Sequence, residues 1–209
     1  EISSLNFQPD LTWIKERPNQ SNHYLYDSVR GATKVIYSDI NVAEQTDAQA
    51  LKSFDSDGYT LGTNTGVNQS STTYVAWNWK ANGSGSSNSN GDITSTVSAN
   101  TDAGFSIVSY TGNGSTNQTV GHGLSSAPKM IIHKDRDRGN DDWKVYHSSI
   151  GNAKVVRLNA TDAEGSSNAW GSTTPTASLF TVNSSDTTNT NNNKHIAYCF
   201  HSVDGYSKV

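Results

Sequence analysis

Asp55-Ser56-Asp57-Gly58 is the part of this 209-residue chain that comes nearest to a ligand set. Oxygen side chains on alternate residues followed by a glycine make half of a calcium loop, so Asp55 and Asp57 are the candidate metal ligands and calcium the candidate ion. The same residues carry the Asp-Gly signal of a tight hairpin, and the Glu that would close the loop is missing, so the hairpin is the stronger reading and no cofactor is expected. The run Asp135-Arg136-Asp137-Arg138-Gly139-Asn140-Asp141-Asp142 alternates in sign as a solvated loop does. The six His lack metal-ligand spacing, and the single cysteine, Cys199, excludes both a Cys-x-x-Cys pair and an internal disulfide. His122, between two glycines, reads as a turn, and Cys199 as a small half-buried residue. Glycoside hydrolysis requires two facing carboxylates, whereas the four Glu (Glu1, Glu16, Glu44, Glu164) are scattered. Neither Gly-x-Ser-x-Gly nor a phosphate-cradling glycine loop occurs, so the residues describe no enzyme.

Aromatic rings can instead stack on sugars. Of the five Trp, Trp13, Trp77 and Trp79 fall on alternating strand patterns and read as core. Trp170 lies in the polar loop 166–174 and is the candidate ligand-binding ring, with burial under that loop as the alternative.

The elements that would position these residues are strands. The chain holds 30 Ser, 22 Asn, 22 Thr and 17 Gly, and only 16% of its residues are charged. This composition favours strands and turns, and 9% aromatic residues supply a core. A net charge of −4 with scattered Lys and Arg argues against nucleic acid. No run approaches the roughly 18 apolar residues of a membrane span, so no membrane insertion is expected. Alternation marks Leu11 to Lys15, Thr33 to Tyr37, Tyr74 to Trp79, Phe105 to Tyr110, Met130 to His133 and His195 to Phe200 among others. One helix candidate spans residues 41–53.

The strand patterns recur. Pro9 to Arg17 aligns with Pro128 to Arg136, Leu25-Tyr26-Asp27-Ser28 with Val145-Tyr146-His147-Ser148, and Tyr74 to Lys80 with His195 to His201, at offsets of 119, 120 and 121. The expected organisation is an all-β antiparallel sandwich or jelly roll of two repeats of about 100 residues. Residues 1–82 form the first, lacking its opening strand; 83–103 form a Gly/Ser/Asn-rich linker; 104–209 form the second. Gly205-Tyr206-Ser207-Lys208-Val209 resembles Gly104-Phe105-Ser106-Ile107-Val108, the second repeat's opening strand. That spare segment could complete the first repeat of its own or a neighbouring chain by strand addition.

Phe7-Gln8-Pro9-Asp10-Leu11-Thr12-Trp13-Ile14-Lys15, Tyr26-Asp27-Ser28-Val29-Arg30-Gly31-Ala32, Ser53-Phe54-Asp55-Ser56-Asp57-Gly58-Tyr59-Thr60-Leu61-Gly62, Tyr110-Thr111-Gly112-Asn113-Gly114 and Val120-Gly121-His122-Gly123-Leu124 resemble the repeats of a domain of unknown function. That family is common in virion and tail proteins of marine tailed phages and is similar to concanavalin-like (lamin G-like) jelly rolls. The resemblance implies a non-enzymatic structural or adhesion module of a tail, fibre or surface appendage, located on the virion or outside the cell. Its implied partners are other virion proteins or copies of itself, and host surface glycans. The alternative is a carbohydrate-binding module or a non-catalytic segment of a glycan depolymerase. No family active site is carried over.

Overall fold

The computed structural model describes all 209 residues, and its regular structure is almost entirely antiparallel strand. In the first part run β1 (Leu11–Glu16), β2 (His23–Asp27), β3 (Lys34–Tyr37), β4 (Gln45–Thr46), β5 (Leu51–Asp55), β6 (Gly58–Leu61) and β7 (Tyr74–Trp79). Strands β8 (Ser86–Asn88), β9 (Ser95–Asn100), β10 (Phe105–Thr111) and β11 (Gln118–Gly121) follow. The last are β12 (Met130–Asp135), β13 (Lys144–His147), β14 (Lys154–Arg157), β15 (Gly165–Ser166), β16 (Leu179–Val182) and β17 (Lys194–Phe200). The one α-helix is a single turn, α1 (Thr65–Asn68), capped by the Asn64 side chain. The helix expected over residues 41–53 is absent: β4 and the start of β5 occupy that stretch, where packing against strands outweighs a weak helical preference.

A five-stranded sheet has the order β4-β3-β2-β1-β7, and an eight-stranded sheet the order β15-β14-β13-β12-β17-β10-β9-β8. Strands that align in sequence therefore hold the same places, and the larger sheet continues past β17 where the smaller stops at β7. Residues 83–103 are not simply a linker. They contribute β8 and β9, whose Ser and Thr suit a sheet margin while Val97 points into the core.

Three apolar clusters separate four layers. Ile14, Tyr26 and Val35 of the five-stranded sheet pack on the β5-β6 hairpin and α1 through Leu51, Tyr59 and Val67. The opposite face, with Leu11, Leu25 and Ile36, packs on Phe105, Ile107, Ile196 and Tyr198 of the eight-stranded sheet. Beyond it, Val108, Ile131, Ala197 and Cys199 meet Phe180 and Val182, which belong to the β11-β16 pair and its surroundings. Strand β17 is thus buried on both faces, and Cys199 is fully buried rather than half-buried. Burial pushes its thiol up to about 12.

A polar network joins the two large sheets. The Arg30 guanidinium, fully buried, bonds Asp27 at 2.5 Å and Glu44 at 3.1 Å, and its Nη2 donates to the Leu25 carbonyl. Arg136 binds Glu44 with two bonds of 2.8 and 2.9 Å, and the Tyr198 hydroxyl donates to Asp27 at 2.7 Å. Burial alone would lower the Arg30 pKa, but the carboxylates of Asp27 and Glu44 outweigh it and raise it. Truncating one member strands buried charge, so Arg30→Ala is expected to lose about 3–5 kcal/mol in urea unfolding. Arg157→Ala, which breaks half-exposed pairs with Asp142 and Asp162, should stay within about 1 kcal/mol. Equal losses would contradict the inter-sheet role.

Candidate functional site

Asp55 and Asp57 sit at the β5-β6 turn, where Asp55 pairs with Gly58. Their carboxylates are engaged locally: Asp55 accepts from the Thr60 hydroxyl at 2.8 Å, and Asp57 accepts from the Ser4 backbone at 3.4 Å. No third acidic or histidine side chain joins them, and no group of three or more His, Cys, Asp or Glu in the chain is placed to hold a metal. Gly58 has its own reason to be glycine, since a Cβ there would lie 1.8 Å from the Ile2 carbonyl oxygen of the crossing N-terminal segment.

Trp170 is 1% exposed. Its ring packs edge-on against Tyr146 at 5.9 Å and His133 at 6.4 Å, so the polar loop folds over it. The expectation of an exposed ring is corrected, and its alternative, burial under the loop, is what the structure shows: a large apolar ring gains more under the loop than in water.

Beneath Trp170 lies a histidine pair. His133 Nε2 and His195 Nδ1 are 3.2 Å apart, and Tyr110 stacks on His195 at 4.9 Å. Both imidazoles are fully buried. Burial lowers the pKa of each, with the proximity of the other acting in the same direction on His133. His122 is likewise fully buried rather than a surface turn residue. The Leu124 amide donates to its Nδ1 at 3.1 Å, which places the ring proton on Nε2, facing the Thr176 carbonyl at 3.2 Å. Burial lowers its pKa to about 4.

The acidic run is also more buried than a solvated loop. Asp135 is fully buried and accepts two bonds from the Asn193 amide, and Asp141 accepts from Lys144 at 3.0 Å and Thr187 at 2.8 Å. Asp141, Lys144, Arg157 and Asp186 line a polar cleft of about 250 Å³ in which the charges are largely paired with one another. A second cleft, of about 640 Å³, lies at the junction of the two large sheets and is lined by Phe7, Trp79, Phe105, Phe200, Tyr206 and Val209 among others.

Three large apolar side chains are open to solvent. Trp77 is 48% exposed, Tyr206 72% and Ile2 42%. Trp77 lies on β7 beside Trp13, with ring centres 6.0 Å apart in an edge-to-face arrangement, and His23 lies 6.5 Å beyond Trp13. Trp77 is thus a surface residue rather than a core one. Alternation assigned its face correctly, but β7 ends its sheet and nothing covers the outer half of the ring.

Four layers of antiparallel sheet define an all-β, sandwich-like protein. The chain belongs to the family described as Domain of unknown function (DUF7483), which matches it over residues 1–209. No curated protein and no solved structure matches it.

His122, His133 and His195 give stability a defined pH dependence. In the unfolded chain each takes up a proton near about pH 6.5, whereas the fold keeps it neutral to lower pH. The unfolded state therefore binds more protons below about pH 6.5, so stability is complete above that value and falls as the pH drops, by up to about 1.4 kcal/mol per unit for each histidine. The melting temperature should hold between about pH 8 and 7 and drop steeply between about 6 and 4.5. In His122→Gln the slope should be shallower; a flat profile down to about pH 5 would contradict neutral buried imidazoles.

Proposed function

We propose that the chain is a non-enzymatic structural or adhesion module of a phage virion, carried on a tail, fibre or surface appendage. The observation that carries this reading is the contrast between interior and surface. The paired histidines are closed off from solvent, while the Trp77 indole is presented outward on a sheet margin. The resemblance of residues 7–15, 26–32 and 53–62 to repeats common in phage virion and tail proteins supplies the particle. The partners in this reading are other virion proteins or further copies of the chain, and the location is the virion or the extracellular space. Antibodies against the folded chain are expected to decorate purified particles. Labelling confined to lysate proteins, or release of reducing ends from host polysaccharide at catalytic rates, would overturn the proposal.

A second reading is favoured by Trp77 in particular: a carbohydrate-binding module, or the non-catalytic part of a glycan depolymerase. Half-exposed indole, braced edge-on by Trp13, offers a flat face of the kind on which pyranose rings stack. Under this reading Trp77→Ala abolishes glycan-array signal and leaves the melting temperature within about 2 °C, as for an exposed side chain. Signal that survives Trp77→Ala, or an array with no signal, counts against it. Trp170→Ala is unsuited to this test, since removing a buried Trp costs about 3–5 kcal/mol of stability.

A further inference from the structure

The two large sheets have four ends between them, and three are blunted. Strands β4 and β15 are two residues long and β8 three, too short to template another strand. The fourth end is β7, six residues in unbroken register with β1. Its sequence, Tyr-Val-Ala-Trp-Asn-Trp, contains no Lys, no Pro and no bulge, the devices by which edge strands repel further pairing. None of its six residues is fully buried, whereas β17, which aligns with it, has five consecutive buried residues. The difference is a neighbour: β17 is flanked by β12 and β10, β7 only by β1. Tyr198, opposite Ile107 of β10, is 1% exposed, and its counterpart Trp77 is 48% exposed.

We propose that the outer edge of β7 accepts residues 205–209 of a second copy of this chain as an added antiparallel strand. The register follows from β10 on β17, where Phe105 faces Phe200, Ser106 faces Cys199, Ile107 faces Tyr198 and Val108 faces Ala197. Transferred by the sequence alignment, Tyr206 stands opposite Trp79, Ser207 opposite Asn78, Lys208 opposite Trp77 and Val209 opposite Ala76. The aliphatic stem of Lys208 then covers the open indole and its ammonium lies near the ring face. Both halves of this contact are unsatisfied within one chain: Trp77 on the acceptor, and on the donor Tyr206, more exposed than either Trp77 or Ile2. In its own copy the segment is held back by a small turn, with Tyr206 and Ser207 amides donating to the Val203 carbonyl at 3.0 and 2.9 Å and the Val209 amide to Ser202 at 3.0 Å. There Tyr206, Ser207 and Val209 share a cleft with Asn78 and Trp79 at the C-terminal end of β7, but no backbone hydrogen bond joins them to the strand and its edge stays unpaired. The proposal goes beyond the virion reading, since it holds whatever structure carries the chain.

Sedimentation and amide hydrogen exchange on the intact chain over a wide concentration range test it. Self-association is expected, with protection of the β7 amides growing in step with it. Deleting residues 205–209 should weaken association at least about tenfold while leaving the melting temperature unchanged, because the segment is peripheral. A peptide of residues 104–111, which carries the full opening-strand pattern, should protect β7 in the deleted chain. A chain that stays monomeric throughout, association untouched by the deletion, or β7 protection independent of concentration, which would mean closure by the chain's own segment, each overturns it.

Discussion

The ion pair between Arg30 and Asp27 is the contact on which the four-layer arrangement turns. A guanidinium taken fully out of water is tolerable only when its donors are met, and here they are: Asp27 and Glu44 supply charge, and the carbonyls of Leu25 and Lys34 accept the remaining bonds. Those acceptors come from β2, β3 and the segment leading to β4, so one side chain ties three strands of the smaller sheet. The other sheet enters through Tyr198, whose hydroxyl donates to Asp27, and through Arg136, which grips Glu44 at two points. Apolar contacts such as Leu25 with Ile196 tolerate sliding of one sheet over the other, whereas bidentate and buried polar contacts do not. The apolar faces provide the affinity of the layers and this network their registry.

That registry explains why the two halves of the chain, which share strand order, do not share exposure. Where the first half has Asp27 and Arg30, the aligned positions of the second hold His147 and Ile150. The ion pair is therefore a feature of one half only, directed at the layer junction. Fixed by it, the larger sheet carries three further strands past β17, and the smaller sheet ends at β7. Trp77 and Tyr198 occupy matching places and the same face, yet one is a surface residue and the other a core residue, because exposure in a sheet depends on the strand alongside as much as on the face.

This is also where sequence reading succeeds and fails. Alternation identified β1, β3, β7, β10, β12 and β17, and the repeat offsets anticipated which strands take equivalent places. Period-two patterns report the face a side chain takes, a local property of the backbone. They do not report neighbours, so Trp77 read as core by analogy with its counterpart. Cys199 read as half-buried because a strand covered on both faces looks, residue by residue, like one covered on a single face. Trp170 was hidden by the polar residues around it: Ser167 and Thr188 hydrogen-bond the backbone of the loop that closes over the ring, so their polarity serves burial rather than solvation. The Arg30 network had one visible trace, two charged residues three apart at a turn where the second repeat has neither.

Polarity without charge is the property that lets these features coexist. Ser, Thr and Asn complete hydrogen bonds at loop closures, as Asn189 does with Asn113 and Ser115, without the desolvation cost of burying an ion. Charged residues are few in the chain, and where they are buried, as at Arg30, Lys134 and Asp135, they fix geometry. The consequence for the surface follows directly. A sheet margin that carries no charge meets an added strand, even one with a single Lys, without like-charge repulsion, and its selectivity rests on backbone register and on the fit of side chains beside Trp77. A chain with many Lys and Glu on its strands would keep such an edge soluble by repulsion; this one leaves it open, with its aromatic side chains set for a partner that brings its own hydrogen-bonding backbone.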